Sequence, residues 1–281
     1  YLMGRWYQGE GKLAKAVQCY DKALQRDPKN LEYYALKGKC CSDLHEHNGA
    51  FLCWSKIVEL EQNDPNAHLG KGEALCRLNL YSEAVASFDR CLRLRPSSVD
   101  AYVGKGTALR EMSKLEEALW CFDVSLQLKP GHSFALEHKA ITLVDLKRYE
   151  DASKCCEVAI EINPQSPKIY LCNALALERL KKYRKAIDNL DLSLRYGARP
   201  FKVNHLKAKI LLILQQPLDA LLCFDHVEIA RSNSTDYVKD TVQALRMIKK
   251  PYLALKYVDH MMEKQNNISL ASSRERTMRF V

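Results

Sequence analysis

Across 281 residues, 43 basic and 34 acidic side chains leave a formal charge of +9, an excess that favours anionic partners at long range without demanding nucleic acid. No secretory signal opens the chain, and its longest apolar run of note, Ile210–Leu214, is far short of the roughly 18 to 20 residues that cross a bilayer. One hydrophobic core would have to be large to organise this length, whereas stacked elements that bury themselves only on their neighbours meet no such limit.

A fixed step organises the chain. Moving 34 residues at a time from Ala84 lands on Ala16, Ala50, Ala118, Ala152, Ala186, Ala220 and Ala254, every one an alanine. In the stretch 67–98, Ala84, Val85, Phe88, Cys91 and Leu92 have the spacing of a helix with one buried face. Gly72, Ala74, Leu75 and Leu78 mark an earlier helix, and residues 79–82 break the pattern between the two. The unit therefore reads as a helical hairpin whose alanine sits where two helices approach closely. Gly4, Gly38, Gly72 and Gly106 recur in the same step, then Ala140, Ala174 and Ala208, and a glycine that costs about 1 kcal/mol inside a helix argues for a close neighbour.

The first unit begins in mid-helix at Tyr1, turns at 9–12 and runs through Ala16 and Tyr20 to Pro28, so the chain reads as a piece of a longer protein. The second, from Leu31, keeps Gly38, Ala50 and Trp54, but its proline is displaced to Pro65, which predicts a longer second helix and a shorter link. Units from 65 and 99 are the closest copies of each other and the most regular. Units from 133 and 167 exchange glycine for Ala140 and Ala174, and the unit from 167 ends irregularly at 196–200. Units from 201 and 235 place Pro217 and Pro251 at the start of their second helices, where the missing amide costs nothing. The hairpins persist to about residue 266, and 267–281 reads as a polar tail.

Small at positions 8 and 20, large and apolar at 24, proline at 32, in a frame of 34: this pattern resembles the tetratricopeptide repeat family over about residues 1–266. The resemblance implies an all-α solenoid, a right-handed superhelix of about eight antiparallel hairpins. It also implies a non-catalytic adaptor whose first helices line a concave groove that binds peptide segments or helices. In units from 31 to 133 the implied groove positions hold Glu32, Asp43, Glu73, Asp100, Glu111, Glu137 and Asp145 against Lys39, Arg77 and Arg110. In units from 167 onward they hold Lys168, Arg179, Lys202, Lys209, Lys239 and Arg246 against Glu178, Asp236 and Asp240. Phe134, Ile141, Val144, Leu171, Leu175, Leu212 and Ile213 bring apolar surface to the same positions. Apolar patches rimmed by charge mark partner sites. The expected ligand is a segment with apolar anchors and acidic residues, held by Lys168, Arg179 and Lys202. A changed packing angle that buries these apolar residues, or the chain's own tail lying there, is the plainer alternative. The lysine and asparagine pattern with which some relatives grip chaperone termini is missing, as is the asparagine ladder at position 6, where Leu36, Gly70, Gly104, His138, Cys172 and Leu206 stand.

Other signals carry less. Lys37, Lys71, Lys105, Lys139 and Lys207 recur at one position; a polyanion such as RNA is the minor reading, and ammonium groups extended into water from stems laid along the next helix are the major one. Of eleven cysteines, Cys19, Cys53, Cys121, Cys155 and Cys223 share one repeat position and read as small packing residues in a reducing, cytoplasmic setting. Cys40, Cys41, His45 and His47 lack the two spaced ligand pairs of structural zinc, so neither metal nor cofactor is expected. Glycosylation triplets at 233–235 and 267–269 matter only in a secreted chain. No nucleophile, base and orienting residue come together in the pattern, so no enzyme is expected; a targeting or regulatory arm of a larger enzyme is the competing class. Partner identity and oligomeric state are not written in this pattern.

Overall fold

The computed structural model describes residues 1–225, 235–250, 252–254 and 256, and all regular structure among them is helical. The chain divides into two bodies, Tyr1–Lys147 and Arg148–Val281. The first holds α1 (Leu2–Gly9), α2 (Leu13–Arg26), α3 (Leu31–Asp43), α4 (His47–Leu60), α5 (Pro65–Arg77), α6 (Tyr81–Leu94), α7 (Val99–Glu111), α8 (Leu115–Leu128) and α9 (Ser133–Asp145). The second holds α10 (Tyr149–Ile162), α11 (Pro167–Arg179), α12 (Tyr183–Arg195), α13 (Pro200–Ile213), α14 (Pro217–Asp225) and α15 (Thr235–Met247). Pro251, the side chain of Asp236, both glycosylation triplets as wholes and the expected tail lie outside the described residues.

Each body is a run of antiparallel hairpins in which consecutive helices pack on one another, the all-α solenoid class that the 34-residue step implies. All eight periodic alanines are at most 1% exposed. Around Ala84 the reason is visible: Leu75 of α5, Phe88 and Cys91 of α6, and Ala101 and Ala108 of α7 form one cluster, so a second helix seals its own hairpin and the next together. A larger side chain there would push three helices apart.

The hairpin turns are built alike. A left-handed residue closes each first helix, at His45, Asn79, Ser113, Lys147, Lys181, Gln215 and Lys249, with Gly11 in the same place at the start. The Ser113 amide donates to the Arg110 carbonyl at 2.8 Å and the Lys114 amide to the Leu109 carbonyl at 2.9 Å, the paired bonds that satisfy the carbonyls at a helix end. First helices then start from capped or proline-led ends: Asn30, Asp64 and His132 accept backbone amides through their side chains, and Pro65, Pro167 and Pro200 occupy first turns.

One expectation fails. The helix α4 is 14 residues long, like α2, α6 and α8, and the displaced Pro65 lengthens nothing. It stands inside the first turn of α5, where proline needs no hydrogen bond partner.

In the first body α3, α5, α7 and α9 each touch the next across the stack, closer than the second helices do, so the first helices form the inner wall of the curve. In the second body α13 and α15 touch in the same way.

Candidate functional site

The inner wall begins with what the lysines do. Lys37 reaches Asp21 at 2.5 Å, Lys105 reaches Asp89 at 2.7 Å, Lys139 reaches Asp123 at 2.7 Å and Lys207 reaches Asp191 at 2.5 Å. Every rung joins a first helix to the second helix of the preceding hairpin. Burial opposes the charge on Lys37 and Lys105, but the aspartate outweighs it and holds each ammonium above its ordinary pKa. Lys71 has serine, Ser55, at the corresponding place and lies over the Phe51 ring instead, 5.7 Å from its centre. The expectation that these ammonium groups extend into water is therefore corrected: four are paired. An aspartate 16 residues before each of those four lysines was the available sequence signal.

In the first body the wall is acidic. Glu32, Asp43, Glu73, Asp100, Glu111 and Asp145 are exposed, Asp100 lies 3.6 Å from His132, and Arg110 is engaged by Glu111 at 2.7 Å. Burial raises the Glu73 pKa first, with Asp100 adding to it against Arg77. Burial also raises that of Asp145, with Arg110 working against it. Phe134 is 62% exposed on α9 and Ile141 is half-buried. Both belong to this body.

The remaining expected site residues belong to the second body. On α11, Lys168, Leu171, Leu175 and Arg179 follow one stripe of the helix, the two cations exposed and the two leucines half-buried. On α13, Lys202, His205, Lys209 and Ile213 follow the equivalent stripe, with both lysines exposed and Ile213 49% exposed. Leu212 does not belong there. It is 5% exposed and packs with Ala208, Ala220, Phe224 and Ala244, because one residue's rotation around the helix carries it from the wall into the core. Leu171 borders a cluster that joins Ala174 and Leu177 of α11 to Val203 and Ile210 of α13, so one core holds both helices. Arg179 contacts Glu178 at 3.1 Å and Asp240 is taken by His205 at 2.8 Å. Lys202 and Lys209 enter no ion pair among the described residues.

His45 and His47 stand edge to face at 6.0 Å and line an open cleft of about 370 Å³ with Glu46, Asn48, Gly49 and Leu78. Among the described residues no three metal-ligating side chains converge, there or elsewhere. All eleven cysteines are free thiols. No helix among the described residues is long and apolar enough to cross a membrane.

Residues 1–30, 69–133 and 135–166 match family profiles described as tetratricopeptide repeat. A search of curated proteins found no match. Among solved structures, the APC/C hetero-tetramer Cut9-Hcn1 is similar at 15% identity and a TM-score of 0.68 over 94% of this chain, which spans 52% of that one, about half its length. A tetratricopeptide repeat protein from Parabacteroides merdae is similar at 15% identity and a TM-score of 0.63, covering 88% of this chain and 98% of its own. YrrB, described as a TPR protein with an unusual peptide-binding site, is similar at 19% identity and a TM-score of 0.52, covering 64% and 93%. At these identities the likeness speaks for the fold. Taken with the three matched stretches and the hairpins that repeat every 34 residues, it makes the chain a tetratricopeptide repeat protein, in architecture a protein–protein interaction scaffold.

Proposed function

We propose that this chain is a non-catalytic adaptor and that the inner wall of its second body binds a protein segment carrying acidic residues and apolar anchors. One observation supports this above the others. Four of the five recurring lysines of the scaffold are neutralised by aspartates, whereas Lys202 and Lys209 stand exposed and outside any ion pair among the described residues, on a wall that also carries Leu171, Leu175 and Ile213. Unneutralised cations beside apolar surface favour an anionic partner, since burying one without its counter-charge would cost more than the contact returns. Lys168 and Arg179 extend the same stripe on α11. Phe134 and Ile141 are left out of this proposal, because they lie in the other body.

The test is affinity capture with the wild-type chain beside a Lys202→Glu, Arg179→Glu variant, after circular dichroism has shown equal helicity. The variant is expected to lose a defined set of partners at least about tenfold, in keeping with reversed charges at an interface. Equal capture by both chains defeats the proposal. RNA binding through the lysine ladder loses its premise, because four of that ladder's five ammonium groups are already paired with aspartates.

A further inference from the structure

In the second hairpin of the first body, two thiols meet across the helix pair. Cys41 on α3 and Cys53 on α4 are 1% and 3% exposed, and each lies against a glycine of the opposite helix. A methyl on Gly49 of α4 would stand 3.2 Å from the Cys41 sulfur, and one on Gly38 of α3 would stand 3.3 Å from the Cys53 β-carbon. Gly38 precedes Cys41 by one turn on α3 and Gly49 precedes Cys53 by one turn on α4, so the antiparallel pairing brings both thiols to one place. There the Cys53 S–H donates to the Cys41 sulfur. The adjacent Cys40 faces the preceding hairpin instead, packed with Ala16 and Tyr20 of α2.

Position and surroundings make Cys41 the nucleophile of the pair. Gly49, against which its sulfur lies, belongs to the first turn of α4, where the helix dipole favours negative charge and no side chain caps the amides. The hydrogen bond from Cys53 is the largest influence on the Cys41 thiol. With the Lys37 ammonium it outweighs burial, Glu46 and Asp21, and holds that thiol below its ordinary pKa. The same bond, with burial, pushes the Cys53 thiol up, which suits a group that reacts second. Gly49 also lines the open cleft beside His45 and His47, so a small oxidant in the cleft reaches the residue that covers the sulfur.

We propose that Cys41 and Cys53 form a site of reversible oxidation by hydrogen peroxide, separate from the partner wall of the second body. The Cys41 thiolate attacks one peroxide oxygen, the O–O bond breaks, and the other oxygen leaves as hydroxide, which takes up the proton the Cys41 thiol gave up. Cys41 is then a sulfenic acid. The Cys53 sulfur attacks the Cys41 sulfur and displaces its hydroxyl, which leaves as water with the Cys53 proton. The two sulfurs together lose two electrons, both peroxide oxygens end as water, and the new bond ties α3 to α4. A thiol reductant reverses it by exchange.

The test treats the reduced 281-residue chain with hydrogen peroxide, alkylates the remaining thiols and cleaves after glutamate, which at Glu46 separates the two cysteines for mass spectrometry. Cys156 and Cys172 serve as the comparison, since they make a second S–H to sulfur contact but in the middle of α10 and α11. The link between Cys41 and Cys53 is expected to form at least about tenfold faster than one between Cys156 and Cys172, and before the less buried Cys19 and Cys223 are lost. Dithiothreitol should restore both thiols, and Cys53→Ser should leave Cys41 as a sulfenic acid that dimedone traps. If Cys156 and Cys172 link as fast, contact alone governs and Cys41 is not activated. If Cys19 and Cys223 are consumed while Cys41 and Cys53 remain alkylated, exposure governs and the proposal falls.

Discussion

A methyl group is all that fits at Ala84, and at Gly72 and Gly104 not even that. The Phe88 ring lies between Gly72 of its own hairpin and Gly104 of the next: a methyl on Gly72 would stand 2.7 Å from a ring carbon, and one on Gly104 2.5 Å. Trp54 is held in the same way between Gly38 and Gly70, while His138 takes the place of the second glycine and stacks on Phe122 with ring centres 5.8 Å apart. These helical glycines are therefore packing devices, as their recurrence in the sequence implied. Gly104→Ala is expected to destabilise the chain by about 1–3 kcal/mol, the range for overpacking a rigid core. Gly131→Ala, where a methyl meets nothing within 4 Å, should leave the urea midpoint unchanged or raise it. Equal midpoints for the two variants would remove the sandwich from the account. The left-handed turn residues were not legible in this way. They are His, Asn, Ser, Lys and Gln at seven of the eight described hairpin turns, and only Gly11 carries the residue that signals such a backbone.

Between elements, the ladder of lysines and aspartates sets register without supplying much energy. Lys105 and Asp89 keep 20% and 37% of their side-chain surface exposed, so their attraction is screened by water and salt. A double-mutant cycle at Lys105 and Asp89 is expected to return a coupling of less than about 1 kcal/mol that shrinks further in high salt. A coupling of several kcal/mol would instead make the ladder a main support of the stack. Helix positions, hairpin order and the close-packed alanines could all be read from spacing, since each repeats a local pattern. The partner of each lysine could not, because a pair 16 residues apart becomes a contact only when two hairpins stack. Position 12 of the hairpin misled for a related reason: Leu212 and Ile213 are neighbours in sequence with similar side chains, and only the packing of α14 and α15 assigns one to the core and the other to the surface.

At the scale of the whole molecule, charge is divided between the two bodies: the inner wall of the first carries mostly carboxylates and that of the second mostly cations. The acidic wall bears on stability. Solvent reaches Glu73, yet the inner curve crowds it, and burial with the nearby Asp100 charge raises its pKa above the ordinary carboxylate value. A carboxyl with a raised pKa holds its proton more tightly when folded. Its charge thus costs stability as pH rises through that pKa, and the cost is absent below the ordinary carboxylate range of about 4. Glu73→Gln is accordingly expected to raise the Tm slightly at neutral pH, by less than full burial would imply because of the solvent access. The gain should vanish near pH 4. A gain that persists or grows in acid would show that Glu73 acts through something other than its charge.

The order of residues alone determined that this chain is a stack of helical hairpins with small residues at fixed contacts, because close approach between helices demands the same side-chain size at every copy. Only the tertiary structure decided which cations remain unpaired and which apolar residues stay on the wall. Each of those depends on groups brought together from different helices.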